Sequence, residues 1–221
     1  MSDRKTSHSP LPREAMAMRL ATGLQSLGQS LPEQRSGILL DYLFELVRWN
    51  TAYNLTAVSD PIEMVDRHII DSLSIRPFIA GGRVLDSGTG AGLPGVVLAV
   101  AEPDRRFILA DSNGKKVRFL RHIKRTLALD NIEPVHTRIE SLQLDPPPEE
   151  IVARALAPLA RLVEWHRRWL EQGARLLAMK GHLDQAEIDD VPDGYTVDKH
   201  ALEWAGMQAE RCVAVVVARK P

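Results

Sequence analysis

The sequence predicts an α/β fold built on a doubly wound, mostly parallel sheet, and three observations carry that reading. An apolar strand at residues 83–85 runs into a turn holding Gly88, Gly90, Gly92 and Gly95, and then into a helix at 94–101 with Pro94 at its first turn. Beyond it, short β-rich runs alternate with amphipathic helical stretches, the pattern of parallel strands with helices on both faces. The last two strands, residues 195–202 and 211–218, lie close enough in sequence to form an antiparallel hairpin, giving a sheet of about seven strands.

Residues 1–13 are polar, contain Pro10 and Pro12, and read as a disordered tail. Helices are expected at 14–27 and 32–50. The second places Ile38, Leu39, Tyr42, Leu43, Leu46, Val47 and Trp49 at spacings of three and four. Residues 14–80 are expected to form a helical cap joined in one structural unit to the sheet domain, 81–221. From Trp49 to Thr56 the periodicity breaks, and an ordered loop is expected. Asp60-Pro61 then starts a helix by N-cap and N1 chemistry, and that helix carries Arg67, His68 and Asp71 toward the glycine turn. The sheet domain continues with strand 106–111, helix 115–128, strands 132–137 and 151–155, helix 159–170 and strand 174–179. Asp145-Pro146-Pro147-Pro148 marks a loop, and Gly181 ends the last of these strands.

The composition is that of an ordinary soluble protein. A chain of 221 residues, 44% hydrophobic and 26% charged, can bury one substantial core. A net charge of -1 gives no overall attraction for nucleic acid, so such a role must come from local basic patches. The single cysteine, Cys212, lies in an apolar run and reads as a core residue. Residues 1–13 hold no apolar leader segment, and the longest apolar run, 96–101, is far shorter than the roughly 20 residues of a membrane span. The cytoplasm is the expected compartment.

The glycine turn indicates a cofactor cradle: positive φ lets the backbone approach a ligand, and a new helix points free N–H groups at the same spot. Gly90 to Gly95 satisfies the dinucleotide pattern G-x-G-x-x-G, which by itself is weak. Asp86 and the extra Gly88 make it D-x-G-x-G-x-G. A carboxylate there disfavours a pyrophosphate and suits the ammonium and sulfonium of S-adenosylmethionine. Asp111, at the end of the next strand, can accept both hydroxyls of an adenosine ribose, as it would for NAD, or can cap the following helix, although Ser112 or Asn113 could do that instead. Arg138, Ile139 and Glu140 follow the third strand and would lie beside the adenine.

Lys115, Lys116, Arg118, Arg121, Lys124 and Arg125 share one helix without an intervening acid. Both a solvated face and a phosphate-tracking surface fit that run. Arg154 and Lys180 end the fourth and fifth strands, at the edge where a doubly wound sheet binds substrate, and with Arg138 they are expected to converge on one rim. The seven histidines are scattered and suggest no metal site. His68, His122 and His182 read as surface or packing residues.

Taken in order, Trp49-Asn50 with Tyr53-Asn54-Leu55-Thr56, Arg67-His68-Ile69-Ile70-Asp71-Ser72, Asp86 to Gly95, Leu109-Ala110-Asp111-Ser112, Lys115 to Leu120, Arg154-Ala155 and Lys180-Gly181 resemble the bacterial RsmG family, also called glucose-inhibited division protein B. The likeness covers roughly residues 35–220. It implies a Rossmann-like class I methyltransferase that moves the methyl group of S-adenosyl-L-methionine to N7 of one guanine in 16S small-subunit ribosomal RNA. The implied partner is that RNA or the small subunit, with no metal, no membrane, and a monomer expected. Family cofactor positions fall on Gly88, Leu93, Ile139, Glu140 and Arg154; Asp86, Gly90, Gly92 and Asp111 are added on chemical grounds. Arg138, Arg154 and Lys180 are expected to hold the target phosphate or guanine O6, with Asn54 and Arg67 in the same pocket. Ser87 and Ala91 depart from the family's usual residues, and the Ser87 hydroxyl needs a partner. The competing readings are methyl transfer to another acceptor, an NAD-dependent oxidoreductase and a non-catalytic RNA-binding module.

Overall fold

A computed structural model describes residues 12–207 and 209–219, so most of the expected tail lies outside the described residues. Arg13, placed in that tail by the sequence, instead opens helix α1 (Arg13–Ser26) and pairs with Asp41 of α2 (Glu33–Tyr53). The strands are β1 (Arg83–Ser87), β2 (Arg106–Asp111), β3 (Ile132–His136), β4 (Glu150–Arg154), β5 (Arg175–Lys180), β6 (Tyr195–Ala201) and β7 (Cys212–Ala218). They form one sheet in the order β3-β2-β1-β4-β5-β7-β6. β1 to β5 pair in parallel, while β7 is antiparallel to both β5 and β6. The expected hairpin is present, with its second strand slotted between β5 and its first.

The inner strands β1, β2, β4, β5 and β7 read as largely apolar runs because both faces are covered. On one face Val84, Phe107, Leu109, Val152 and Leu177 pack with Met16 and Leu20 of α1, with Leu39 and Leu43 of α2, with α5 (Gly95–Ala101) and with α6 (Gly114–Thr126). On the other, Leu85, Ile108, Ile151 and Leu176 pack against Leu159, Leu162 and Val163 of α7 (Leu159–Leu170). The chain leaves β1 toward β2 and β3, then returns to β4 on the other side. The crevice beyond the carboxyl ends of β1 and β4 is therefore the topological switch point where such sheets bind ligands.

Three local features depart from the sequence reading. α2 continues to Tyr53, because the Trp49 and Tyr53 rings stack one turn apart and Asn54 ends the helix only by adopting a left-handed φ of 51°. The ordered loop is thus shorter than expected. The helix begun by Asp60, whose side chain accepts from Glu63 N, runs as α3 (Pro61–Met64), a π-helical turn (Val65–Ile70) and α4 (Asp71–Ser74). A short helix, α8 (Gln185–Asp189), follows β5.

Ser87 has its partner. Its hydroxyl lies 2.9 Å from Nε2 of His166 on α7, and both residues are fully buried. Nδ1 of His166 is 2.6 Å from the Leu162 carbonyl and must donate to it, so Nε2 accepts the Ser87 proton. Burial lowers the His166 pKa from 6.5 to about 4. The unfolded chain binds this proton at higher pH than the folded one, so stability falls as pH drops through that window, by up to about 3 kcal/mol from this residue. Ser87→Val alone leaves a buried lone pair unpaired and should cost about 1–3 kcal/mol at pH 7. Ser87→Val with His166→Leu should recover much of that cost and, in urea unfolding at pH 7 and pH 5, lose less stability on acidification than wild type. Equal losses in the two proteins would refute the buried histidine as their source.

Candidate active site

The glycine turn is held from beneath. Asp86 Oδ2 accepts from the Thr89 hydroxyl at 2.6 Å and from Gly95 N at 2.7 Å, tying both ends of the turn to the last residues of β1. Gly88, Gly90 and Gly92 have φ of 67°, 62° and 99°, a region side chains strain to enter. A Cβ on Gly95 would collide with Leu109 and Asp86, so α5 can start this close to the sheet only with glycine there. From the cap side, the buried Tyr42 hydroxyl donates to the Ala91 carbonyl at 2.9 Å. Burial raises the Asp86 pKa to about 6, and the carboxylate has no exposed surface. Asp86 therefore shapes the turn from behind, and a direct contact with a bound cation is not its position.

A cavity of about 490 Å³ opens above the turn. Its walls bring together Gly88, Gly90, Leu93, Asp111, Arg138, Ile139, Glu140 and Arg154, which the sequence had proposed from four separate segments. Gly92 stays out of it, packed on Val96 and Leu120. Asp111 is the carboxylate beside the glycine turn. Its oxygens accept from Gly90 N at 2.9 Å and Asn113 N at 2.8 Å, and Lys116 Nζ lies 3.7 Å away. Asn113, not Asp111, caps α6 by accepting from Lys115 N. The acid keeps lone pairs for a ligand.

A second cavity, about 340 Å³, shares His68, Arg154 and Ala155 with the first and adds Arg67, Asp71, Lys180 and Arg211. The basic residues do not converge on one rim: Arg138 lies on the first cavity, Lys180 on the second, and Arg154 in the wall between. Arg154 Nη1 donates to Asp71 Oδ2 and to the Arg67 carbonyl, each at 3.0 Å. Arg211 Nε donates to Asp71 Oδ1 at 3.1 Å, so one buried carboxylate holds two guanidinium groups. Lys180 Nζ bonds the Ala157 carbonyl at 2.8 Å and Glu187 at 2.7 Å. The Arg67 guanidinium pairs with Glu63 on the surface. Asn54 is outside both cavities; its neighbours Leu55 and Thr56 line the first.

The motif around Asn54 acts through Asn50. The Asn50 amide donates to the Thr56 carbonyl and accepts from Thr56 N, both at 2.9 Å, and Thr56 Oγ1 lies 2.9 Å from His68 Nε2. His68, read from sequence as surface or packing, is buried between the cavities, and its Nδ1 has no partner among the described residues. Burial, and then the positive Arg154, push its pKa down to about 4, so it is neutral at pH 7. The π-helical turn puts it there, and periodicity carries no signal for such a turn. Arg211 was also missed, because it meets Asp71 across 140 positions of chain.

The switch-point crevice, the acid-anchored glycine turn at the end of β1, the acid at the end of β2 and the inserted antiparallel β7 together define a class I methyltransferase fold. Solved structures share it: cofactor-bound Rv0187 from MTB aligns with TM-score 0.57 at 15% identity over 82% of this chain and 91% of its own, and the B. subtilis M1A22 tRNA methyltransferase TrmK with TM-score 0.56 at 16% identity over 68% and 66%. The family model described as "GidB: rRNA small subunit methyltransferase G" matches residues 35–212. Proteins named ribosomal RNA small subunit methyltransferase G are 45% identical over 202 residues in Pseudomonas aeruginosa, covering 90% of this chain and 94% of that one, and 40% identical over 206 residues in Salmonella schwarzengrund, covering 93% and 100%. The chain belongs to the rRNA small subunit methyltransferase G family.

The electrostatics of His68 are open to direct measurement. In an NMR pH titration, the ring signal lost in His68→Gln should titrate near pH 4. A midpoint near 6.5 would show that the imidazole is solvated rather than held between the cavities.

Proposed function

We propose that this protein transfers the methyl group of S-adenosyl-L-methionine to N7 of a guanine in 16S small-subunit ribosomal RNA. The observation that carries the reading is the pair of cavities joined at His68 and Arg154, one lined by the glycine turn and Asp111, the other by polar donors at the strand ends. Family membership supports ribosomal RNA as the acceptor.

The first cavity suits the cofactor. Asp111 offers free lone pairs beside Gly90 for ribose hydroxyls, Gly88 and Leu93 present backbone at close range, and Ile139 with Glu140 lies where an adenine amine would be read. When bound, S-adenosyl-L-methionine supplies an electrophilic methyl group on a sulfonium.

Guanine N7 already presents a lone pair, so the chain needs no general base; its work is alignment of N7 with the methyl carbon and sulfur. The second cavity is furnished for that task. Arg154 spends one nitrogen on Asp71 and Arg67 and keeps N–H donors for O6 or a phosphate oxygen; Lys180 uses two partners and keeps a third donor. Methylation leaves a positive guanine. A neutral His68, Asp71 between two guanidiniums and Glu187 against Lys180 limit the repulsion that product would meet. Residues 14–80 act as a cap joined in one structural unit to the sheet domain 81–221, a reading supported by the apolar cluster that joins α1 and α2 to β1 and β2.

The test uses small subunits that lack the modification, labelled cofactor and chemical strand scission at N7-methylguanine. Wild type should generate one new cleavage. Arg154→Ala should lower kcat/KM by at least about 100-fold and, because Arg154 also lines the first cavity, weaken cofactor binding, whereas Lys180→Ala should lower kcat/KM by about tenfold and still bind cofactor in calorimetry. Binding of NAD in place of S-adenosyl-L-methionine would favour an oxidoreductase, and retention of RNA without transfer a binding module. Either outcome overturns the assignment.

A further inference from the structure

Six cations on α6 divide into two groups. Lys116 faces Asp111 on the first cavity, and Lys124 Nζ donates to the Ile132 carbonyl at 2.7 Å. The other four, Lys115, Arg118, Arg121 and Arg125, are exposed, and none forms an ion pair or side-chain hydrogen bond among the described residues. Their spacing of three, three and four residues keeps them on one side of the helix. At 1.5 Å per residue the row runs about 15 Å, roughly four nucleotides at the 3.4 Å rise of a stacked strand. It begins one residue from a wall of the cofactor cavity and leads away from it.

This arrangement costs helix stability. Like charges three or four residues apart repel by about 0.2–0.5 kcal/mol per pair, and a lysine in the first turn opposes the helix dipole. An ordinary solvated face relieves such strain with interspersed acids, yet α6 has none. The acid packed against it from α2, Glu45, is taken up by His122 at 2.6 Å and by Arg48 at 3.7 Å. Four uncompensated cations in a protein of net charge -1 form a local field matched to a row of anions.

We propose that the exposed face of α6 is a track for the phosphate backbone of the acceptor RNA, running outward from the cavity mouth. The proposal rests on the reading of that acceptor as RNA. The track adds affinity and register without touching the reacting atoms. Lys115, Arg118, Arg121 and Arg125 act by neutralising successive phosphates, so their contribution depends on salt and not on base sequence.

The quadruple variant K115Q/R118Q/R121Q/R125Q tests this with unmodified 16S RNA as the probe. Its affinity for S-adenosyl-L-methionine should stay within about twofold of wild type, and its Tm should hold or rise as like-charge repulsion is relieved. RNA binding measured between about 50 and 200 mM salt should show a log–log slope shallower by roughly 3, from about 0.7–0.9 per lost phosphate contact. KM for RNA should rise at least tenfold with kcat nearly unchanged. The pairs K115Q/R118Q and R121Q/R125Q should each give about half the slope change, and they carry the test if the quadruple variant fails to bind cofactor. An unchanged slope and KM, or a fall in kcat with RNA affinity intact, overturns the track. A wild type that puts no methyl group on RNA defeats the acceptor assignment instead, and the two failures are told apart by wild type alone.

Discussion

One buried carboxylate sets the geometry on which the site depends. Asp86 sits at the end of β1 with no exposure and gathers the Thr89 hydroxyl and the Gly95 amide onto a single oxygen. A charged group in that place is unfavourable, as its raised pKa shows, and its hydrogen bonds offset part of the desolvation. The turn cannot relax without breaking them. Because the same turn donates Gly90 N to Asp111, the carboxylate on β1 also fixes the carboxylate on β2 relative to the cavity. The acid that faces the cavity is thus positioned by the acid that does not.

A second chain of contacts fixes the other cavity. Asn50 clamps Thr56, Thr56 holds His68, His68 lies beside Arg154, and Arg154 shares Asp71 with Arg211. These residues come from α2, the loop after it, the π-helical turn, α4, β4 and the residue before β7. His68 and Asp71 are buried and the others half-buried, and the contacts run between different elements. Such a network is stiff because loosening one contact exposes a desolvated group. It places the least solvated imidazole of the site where the two cavities meet.

What the sequence made legible follows from the range of the interactions involved. Strands and helices were readable because burial on both faces and amphipathic periodicity are local signals, and α7 agrees with its expected bounds, Leu159–Leu170. The cavity wall was readable where chemistry sits at or just beyond strand ends: Asp111, Glu140 and Arg154 all line it. Asp86 was rightly singled out, but its direction was not, since a residue at a strand end can face the ligand or the turn. His68 depended on a π-helical turn, Arg211 on a strand insertion, and the partner of Lys180 on the short α8. The Asn54 side chain was credited with a place that Thr56 holds, because α2 ended one turn later than its polar residues suggested.

The insertion of β7 between β5 and β6 has a further meaning for how the protein comes into being. The strand latest in the chain is interior to the sheet, so β6 has nothing to pair with until β7 arrives, and β5 keeps an open edge until then. Arg211, just before that strand, closes the ion pairs around Asp71, and Cys212 forms part of the second cavity. During synthesis the first cavity can assemble from residues already made, whereas the second waits for the closing strand. Order of manufacture is thereby written into the architecture: the second cavity is complete only once the closing strand is made.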